Sequence, residues 1–152
     1  VPLFTFSTQA FCLSTLITPD PSMNSPHGSQ PKTSPCPYEF KTVERPWGSY
    51  REYARNIPCT VWLVEMKPGE CGSLQSHTGF DELWVFLTDG GQVQIGNETR
   101  RPVAGDEIFI PRGTMHRLSN VEGTHTIRIL EIAFGTVLDD DKVRYDDKYG
   151  RC

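Results

Sequence analysis

The feature that most constrains the fold is a change in sequence pattern at Tyr38. From this residue onward, apolar and polar residues alternate, Gly and Pro recur at short intervals, and no long stretch repeats its apolar residues with a helical period. Alternation with a period of two places successive side chains on opposite faces of a strand. The pattern therefore predicts an all-β body, with helices confined to short pieces at the termini.

Turn signals such as Pro-Gly-Glu, Asp-Gly-Gly and Pro-Arg-Gly separate the strand-like segments of this body. We expect strands near 60–67, 72–77, 82–88, 91–96, 106–110, 115–120 and 125–134. Seven or more short strands at this spacing are typical of a β-sandwich or a β-barrel.

Residues 1–38 differ in composition from the rest of the chain. They contain seven of the 12 prolines, many Ser and Thr, and only two charged residues, Asp20 and Lys32. Such a segment buries too little apolar surface to offset its chain entropy. We therefore expect a disordered or artefactual N-terminal extension, with Met23 as an alternative start, followed by one folded domain over 39–152.

The overall composition argues against several classes of partner. The chain has 15 Lys and Arg against 19 Asp and Glu, and its net charge of -4 gives no general attraction to a phosphate backbone. No apolar run approaches the roughly 20 residues of a membrane helix. The five cysteines form no Cys-x-x-Cys pair, and the apolar N-terminus lacks the basic residues of a secretory signal. We expect a cytoplasmic protein with no nucleic-acid partner, no membrane span and no disulfide framework.

Candidate metal ligands cluster in two stretches of the body. Gln75 and His77 lie two residues apart and so project from the same face of a strand. Glu82 shares a face with two aromatic residues if 82–88 is a strand, and a buried carboxylate needs a strong partner. His116 begins a later strand, directly after a Pro-x-Gly turn. One amide oxygen, two imidazoles and one carboxylate suit a divalent Zn, Mn or Fe ion with one or two open positions.

These two stretches resemble both signature motifs of the cupin superfamily. The first reads Gly69-x5-Gln75-x-His77-x4-Glu82, with Gln75 where many members have a histidine, and the second reads Gly105-x5-Pro111-x-Gly113-x2-His116-x3-Asn120. The resemblance implies a double-stranded β-helix, also called a jelly-roll barrel. It also implies a metal bound by Gln75, His77, Glu82 and His116.

Further stretches resemble the type II phosphomannose isomerase cupin, which occurs alone or as the C-terminal part of bifunctional mannose-1-phosphate guanylyltransferase/mannose-6-phosphate isomerases. They are VERPWGSYREY at 43–53, MKPGECGSLQSH at 66–77, DELWVFLTDG at 81–90 and DDDKVRYDDKYGR at 139–151. The resemblance implies a metal-dependent isomerase that interconverts mannose 6-phosphate and fructose 6-phosphate for nucleotide-sugar and polysaccharide synthesis. It also implies a homodimer, by analogy with other cupins. The chain has no Gly-rich phosphate loop, so we expect no nucleotidyltransferase half in it.

Isomerisation of a sugar phosphate requires a general base that reaches a carbon-bound proton near the metal. Glu131 shares a strand face with Ile127 and Ile129 and matches the family's Ile-Glu-Val position, which makes it the candidate base. The alternative is a structural carboxylate paired with Arg or Lys at a sheet edge.

The same reaction needs a cation that holds the phosphate and fixes the reacting carbons in place. Arg112 lies in the loop just before His116, and Lys67 precedes a tight Pro-Gly turn, so both are candidate anchors. Surface charge is the alternative for each. Arg144 and Arg151 match the family tail and are further anion candidates, with a salt bridge to the Asp-rich run as the alternative.

The sequence departs from the family at three positions. The arginine associated with isomerisation is Phe80 here, a nearby histidine is Leu83, and a lysine of the preceding strand is Trp62. We interpret all three as polar-to-apolar changes around the metal. Three hypotheses follow: a sugar-phosphate isomerase, a non-catalytic cupin that binds metal and sugar in a regulatory or polysaccharide-synthesis setting, or an iron or manganese oxygenase of a small organic acid. Gln75 counts against the oxygenase, since a neutral amide is a weaker ligand for tuning iron.

Overall fold

The computed structural model of the chain describes residues 36–151, which form eleven strands and no helix. The strands are β1 (Lys41–Arg45), β2 (Gly48–Glu52), β3 (Thr60–Met66), β4 (Leu74–Ser76), β5 (Phe80–Phe86), β6 (Gln92–Ile95), β7 (Glu98–Arg100), β8 (Glu107–Ile110), β9 (His116–Ser119), β10 (Ile127–Gly135) and β11 (Val143–Asp146). The all-β class is confirmed, and the seven predicted strands correspond to β3–β6 and β8–β10. The expectation of a short helix near the C-terminus is wrong for the described residues, because that segment forms β11.

Two antiparallel sheets and a separate hairpin make up the architecture. The four-stranded sheet has the order β3-β10-β5-β8, the five-stranded sheet has the order β11-β4-β9-β6-β7, and β1 pairs with β2. From β3 to β11, every connection except β6–β7 crosses from one sheet to the other. The β4–β5 and β10–β11 connections lie at the same end, because Gly135 at the end of β10 is the registered partner of Phe80 at the start of β5.

The main core lies between the two sheets. Its buried residues are Trp84, Phe86, Val93, Ile95, Ile108, Ile110, Leu118, Ile127 and Ile129, contributed by strands of both sheets. Each of them belongs to the inward-facing half of an alternating strand, as the period of two predicts.

A second apolar cluster covers the outer face of the four-stranded sheet. It contains Leu83, Val85, Ile132 and Phe134, and aromatic residues from the N-terminal hairpin region pack against it. A bidentate ion pair between Arg51 of β2 and the carboxylate of Glu107 holds this hairpin region against β8 (2.8 and 3.0 Å). Strand β5 is consequently buried on both faces.

The predicted extension over 1–38 falls almost entirely outside the described residues. Tyr38, its last residue, stacks on Phe134 with ring centroids 4.2 Å apart and donates a hydrogen bond to the carboxylate of Asp81 (2.9 Å). The boundary at residue 39 stays a prediction, although Tyr38 packs against the folded body.

Two further expectations concern disulfides and membrane spans. The three cysteines within the described region, Cys36, Cys59 and Cys71, are all free thiols. Over residues 36–151, no helix has the length and apolar character needed to cross a membrane.

Candidate metal centre

Three of the predicted ligands converge at the end of the molecule where the connection between β4 and β5 joins the two sheets. His77 directly follows β4, Glu82 lies in β5 and His116 begins β9, and each residue is only 1% exposed. Nε2 of His77 and Nε2 of His116 each lie 3.2 Å from a carboxylate oxygen of Glu82. One ligand atom from each residue can be chosen so that all lie within 4.8 Å of one another.

Backbone carbonyls fix the orientation of both imidazole rings. Nδ1 of His77 lies 3.0 Å from the carbonyl oxygen of Phe80, and Nδ1 of His116 lies 2.9 Å from that of Thr114. A carbonyl oxygen only accepts, so Nδ1 carries a proton in each ring and a neutral ring presents a lone pair at Nε2. Each ring therefore directs Nε2 toward Glu82, and the neighbouring carbonyls hold it there.

The donor set fits a divalent ion. Both Nε2 atoms and one oxygen of Glu82 are buried without a hydrogen-bond partner among the described residues. Three acceptors in contact need positive charge between them, which either a proton on each imidazole or one divalent cation supplies. Two ligands about 2.1 Å from one ion, at tetrahedral or octahedral angles, lie roughly 3.0–3.4 Å apart. The observed separations of 3.2 Å fall in that range.

Gln75, the fourth predicted ligand, lies beside this triad. It is the registered partner of His116 across the β4–β9 pair, and its Oε1 accepts a hydrogen bond from the hydroxyl of Ser73 (2.8 Å). Gln75 and His116 both line the same cavity. The structure thus brings the amide next to one imidazole, and its role as a ligand stays a prediction.

A second carboxyl group, that of Glu131, lies against the triad. Glu131 is the registered partner of Trp84 on β5 and of Trp62 on β3, which makes it the diagonal neighbour of Glu82 on the same sheet face. The strand alternation of β10 predicts this inward direction. Its role as a base stays a prediction.

The two carboxyl groups influence each other's ionisation. Burial and then the negative charge of Glu82 raise the pKa of Glu131 to about 8. Burial also opposes the ionisation of Glu82, but the adjacent imidazoles of His116 and His77 outweigh it and hold the pKa of Glu82 well below its ordinary value. The site therefore pairs an ionised carboxylate with a neighbour that is protonated near neutral pH.

Two adjoining cavities open beside Glu131. The smaller, about 200 Å³, includes Gln75, Trp84, His116, Lys142, Arg144 and Arg151 in its wall. The larger, about 410 Å³, includes Trp62, Phe80, Leu138, Lys142 and Arg144. Glu131, Lys142 and Arg144 line both, so one carboxyl and two cations face the space next to the triad.

The two anchors predicted from the sequence occupy other positions. The Arg112 guanidinium forms an ion pair with the carboxylate of Asp81 (2.8 Å), and the backbone amide of Arg112 donates to the same carboxylate (2.8 Å). Lys67 is exposed after β3 and lines neither cavity beside Glu131. Their role as phosphate anchors stays a prediction.

Comparison with known proteins places the chain in a family. The family model described as mannose-6-phosphate isomerase C-terminal matches residues 36–147. The chain belongs to the mannose-6-phosphate isomerase C-terminal family. Within this family, mannose-1-phosphate guanylyltransferase ManC of Salmonella typhimurium is 35% identical over 112 residues, which are 73% of this chain and 23% of that protein. Xanthan biosynthesis protein XanB of Xanthomonas campestris pv. campestris is 34% identical over 112 residues, 73% of this chain and 24% of that protein.

These curated relatives are much longer than the matched segment. The chain spans about a quarter of their length. A solved structure of a protein with a double-stranded beta-helix domain from Klebsiella pneumoniae covers 59% of this chain and 76% of its own, with a TM-score of 0.51 and 16% identity. That likeness concerns the fold alone, and it confirms the cupin fold predicted from the two motifs.

The three departures from the mannose-6-phosphate isomerase family pattern lie in different places. The ring of Phe80 stacks on the imidazole of His77, with centroids 3.7 Å apart, and Trp62 lines the larger cavity with Phe80. Leu83 packs in the outer cluster with Ile132. The interpretation of Leu83 as a change around the metal is wrong, because consecutive residues of β5 face opposite sides of the sheet.

Sequence reasoning missed two residues of the tail that this family shares. Lys142 lines both cavities, and Asp141 fastens the tail to the connection between His77 and Glu82 through hydrogen bonds to its backbone. No signal in the sequence singled out these two residues, because their partners lie far from them along the chain.

Proposed function

We propose that the chain is a divalent-metal isomerase domain that interconverts mannose 6-phosphate and fructose 6-phosphate in nucleotide-sugar synthesis. The observation that carries this proposal is the position of Glu131, whose carboxyl faces the cavities beside the buried triad of His77, Glu82 and His116. An aldose–ketose exchange needs a metal site and a base within reach of the same substrate carbons. The family membership and the relatives named for polysaccharide synthesis support the same reaction.

Each residue of the site has a distinct part in this reaction. A divalent ion held by His77, Glu82 and His116 would supply Lewis-acid stabilisation of the negative charge that develops on the sugar oxygens. Glu131 removes the proton from C2 of the aldose and returns a proton to C1, while the hydroxyl proton moves from O2 to O1. Glu131 ionises more readily once the charge of Glu82 is neutralised, because that charge helps to keep its pKa high.

Proton exchange with solvent tests the proposal directly. Metal-loaded protein is incubated with mannose 6-phosphate in deuterium oxide and followed by NMR. We expect fructose 6-phosphate to form and the C2 proton of the remaining mannose 6-phosphate to be replaced by deuterium. The matched control is His125→Ala, which removes an imidazole outside the triad. Absence of both product and exchange in fully metal-loaded protein would contradict the proposal.

A second candidate, a non-catalytic cupin that binds metal and sugar, is favoured by one specific observation. Phe80 and Trp62 give the larger cavity an aromatic wall where enzymes of the family have cationic residues. Aromatic rings pack well against sugar faces and take no part in proton transfer. This function predicts that mannose 6-phosphate perturbs the spectrum of a bound cobalt ion while the C2 proton stays in place.

A further inference from the structure

Two cations at the site form no ion pair within the described residues. Most lysines and arginines of this region form ion pairs, as Arg112 does with Asp81 and Arg151 does with Asp147. No carboxylate oxygen of the described chain lies within ion-pair distance of Lys142 or Arg144. In a chain with a net charge of -4, two neighbouring cations without a carboxylate partner favour an anion from outside.

Arg144 carries the stronger of these two signals. Its Nε is buried and has no hydrogen-bond acceptor among the described residues. A guanidinium donates through five N–H groups in a fixed planar fork that matches carboxylate and phosphate oxygens. A buried donor of this kind is stabilised when an acceptor enters the adjoining cavity.

Strand pairing places Arg144 relative to the metal triad. Arg144 is the registered partner of Gln75 across β11 and β4, and Gln75 is the registered partner of His116 across β4 and β9. Registered partners point to the same face of a sheet, and adjacent strands lie about 4.8 Å apart. The backbone of Arg144 is therefore roughly 10 Å from that of His116, a separation suited to a ligand that reaches from the triad to the sheet edge.

Other cations near the site are already engaged. Arg112 is held by Asp81, and Arg151, which lines the smaller cavity, is paired with the carboxylate of Asp147. Lys142 and Arg144 share both cavities with Glu131. They are the cations of this cavity wall that form no ion pair with a carboxylate of the described residues.

We propose that Lys142 and Arg144 form the subsite that binds the phosphate group of a sugar phosphate, with the sugar directed toward His116 and Glu131. This assignment rests on the proposed function for the choice of ligand. A phosphate monoester presents three acceptor oxygens and a charge near -2, which matches one ammonium and one guanidinium group.

Isothermal titration of the metal-loaded full chain tests the subsite independently of turnover. The ligands are mannose 6-phosphate, mannose and inorganic phosphate, and the variants are Lys142→Gln and Arg144→Gln. Lys41→Gln and Arg55→Gln are matched controls, since they remove the same charges from exposed ion pairs of the hairpin region. Metal content and melting temperature are measured for every variant, and Arg144→Lys tests whether charge alone restores binding.

We expect each site variant to raise the Kd for mannose 6-phosphate by about 10- to 100-fold, with metal content unchanged. We expect Arg144→Lys to fall between Arg144→Gln and the wild type, and both hairpin controls to bind as the wild type does. Equal affinity of site variants and wild type for mannose 6-phosphate would overturn the assignment. Equal affinity of the wild type for inorganic phosphate and mannose 6-phosphate would also overturn it, because the sugar would then contribute nothing to binding. Binding that depends on both residues without any C2 exchange would support the subsite and contradict the isomerase.

Discussion

The carboxylate of Asp141 accepts a hydrogen bond from the backbone amide of Gly79, which lies 62 residues earlier in the chain (2.6 Å). The same carboxylate accepts hydrogen bonds from the backbone amide and the hydroxyl of Thr78 (3.0 and 2.7 Å). Only glycine fits at residue 79, because a Cβ there would lie 2.4 Å from the carbonyl oxygen of Thr136. The segment between β10 and β11 is thus fastened to the chain between His77 and Glu82.

Replacing Asp141 with Asn should weaken metal binding, although Asp141 touches no ligand. The substitution removes the negative charge and exchanges one acceptor oxygen for an NH2 group, so the Thr78–Gly79 amides lose an acceptor. We expect metal affinity to fall about tenfold and the melting temperature to fall with it. Asp140→Asn is the matched control, since Asp140 is exposed next to it. Equal metal affinity of the two variants would contradict this positioning role.

His77→Ala and His116→Ala should each strongly lower metal occupancy. The wild type is expected to hold about one divalent ion per chain, and loss of one imidazole leaves that ion undercoordinated. His125→Ala is the control, because Nε2 of His125 lies 3.0 Å from the carbonyl oxygen of Asp89, away from the triad. Elemental analysis of the purified proteins gives the occupancy. Full occupancy in both ligand variants would exclude the triad as the metal site.

Glu131→Gln should separate catalysis from metal binding. The substitution is nearly isosteric and removes only the basic function, so metal content stays normal while turnover of mannose 6-phosphate falls by about 10²- to 10⁴-fold. Glu65→Gln is a matched control from β3, where Glu65 pairs with Arg128 at the exposed surface. Steady-state kinetics with elemental analysis provides both readouts. Turnover at the wild-type rate in Glu131→Gln would rule out Glu131 as the base.

Asp81→Asn should lower the free energy of unfolding by about 1–2 kcal/mol at neutral pH, because it removes the charge that pairs with Arg112. The expected loss is modest, since the Arg112 side chain is half exposed and water weakens the ion pair. Burial of Asp81 raises its pKa, but hydrogen bonds from Arg112 and Tyr38 outweigh burial and hold the pKa below the ordinary value of 3.8. A depressed folded-state pKa gives stability that is fully present above the unfolded-state value and is lost as pH falls through the folded-state value.

Denaturant titrations from neutral pH down to about pH 2 measure this dependence. The difference between wild type and Asp81→Asn should be constant above about pH 5 and should shrink below about pH 4, as Asp81 of the wild type takes up a proton. A difference that persists unchanged at the acidic end would show that the carboxylate charge does not stabilise the fold. Arg112→Gln should show the same loss at neutral pH.

Strand periodicity decided which parts of the site could be predicted from the sequence. In β10, the alternation of Ile127, Ile129 and Glu131 correctly predicted a carboxyl facing the core. The same alternation places Leu83 on the face opposite to Glu82, so the nearness of Leu83 to Glu82 in sequence does not bring it near the metal triad. Alternation specifies a face reliably wherever one side of the strand is buried.

The tail could not be predicted in the same way. Strand β11 has four residues, and Val143 and Tyr145 are largely exposed, so pairing with β4 stabilises it rather than burial of an apolar face. A pattern read along the chain carries no record of such pairing. The partner of Arg112 was equally hidden, because a carboxylate 31 residues away attracts a guanidinium as a phosphate does.

The three residues of the metal triad do not belong to one sheet. His77 and His116 adjoin strands of the five-stranded sheet, whereas Glu82 belongs to the four-stranded sheet. An ion bound by all three residues is therefore a cross-link between the two halves of the barrel, closing chain loops as a disulfide would. Removal of the ion with a chelator should therefore let the two sheets separate first at this end. Amide hydrogen exchange should then rise in β4 and β5 before it rises in β6 and β8.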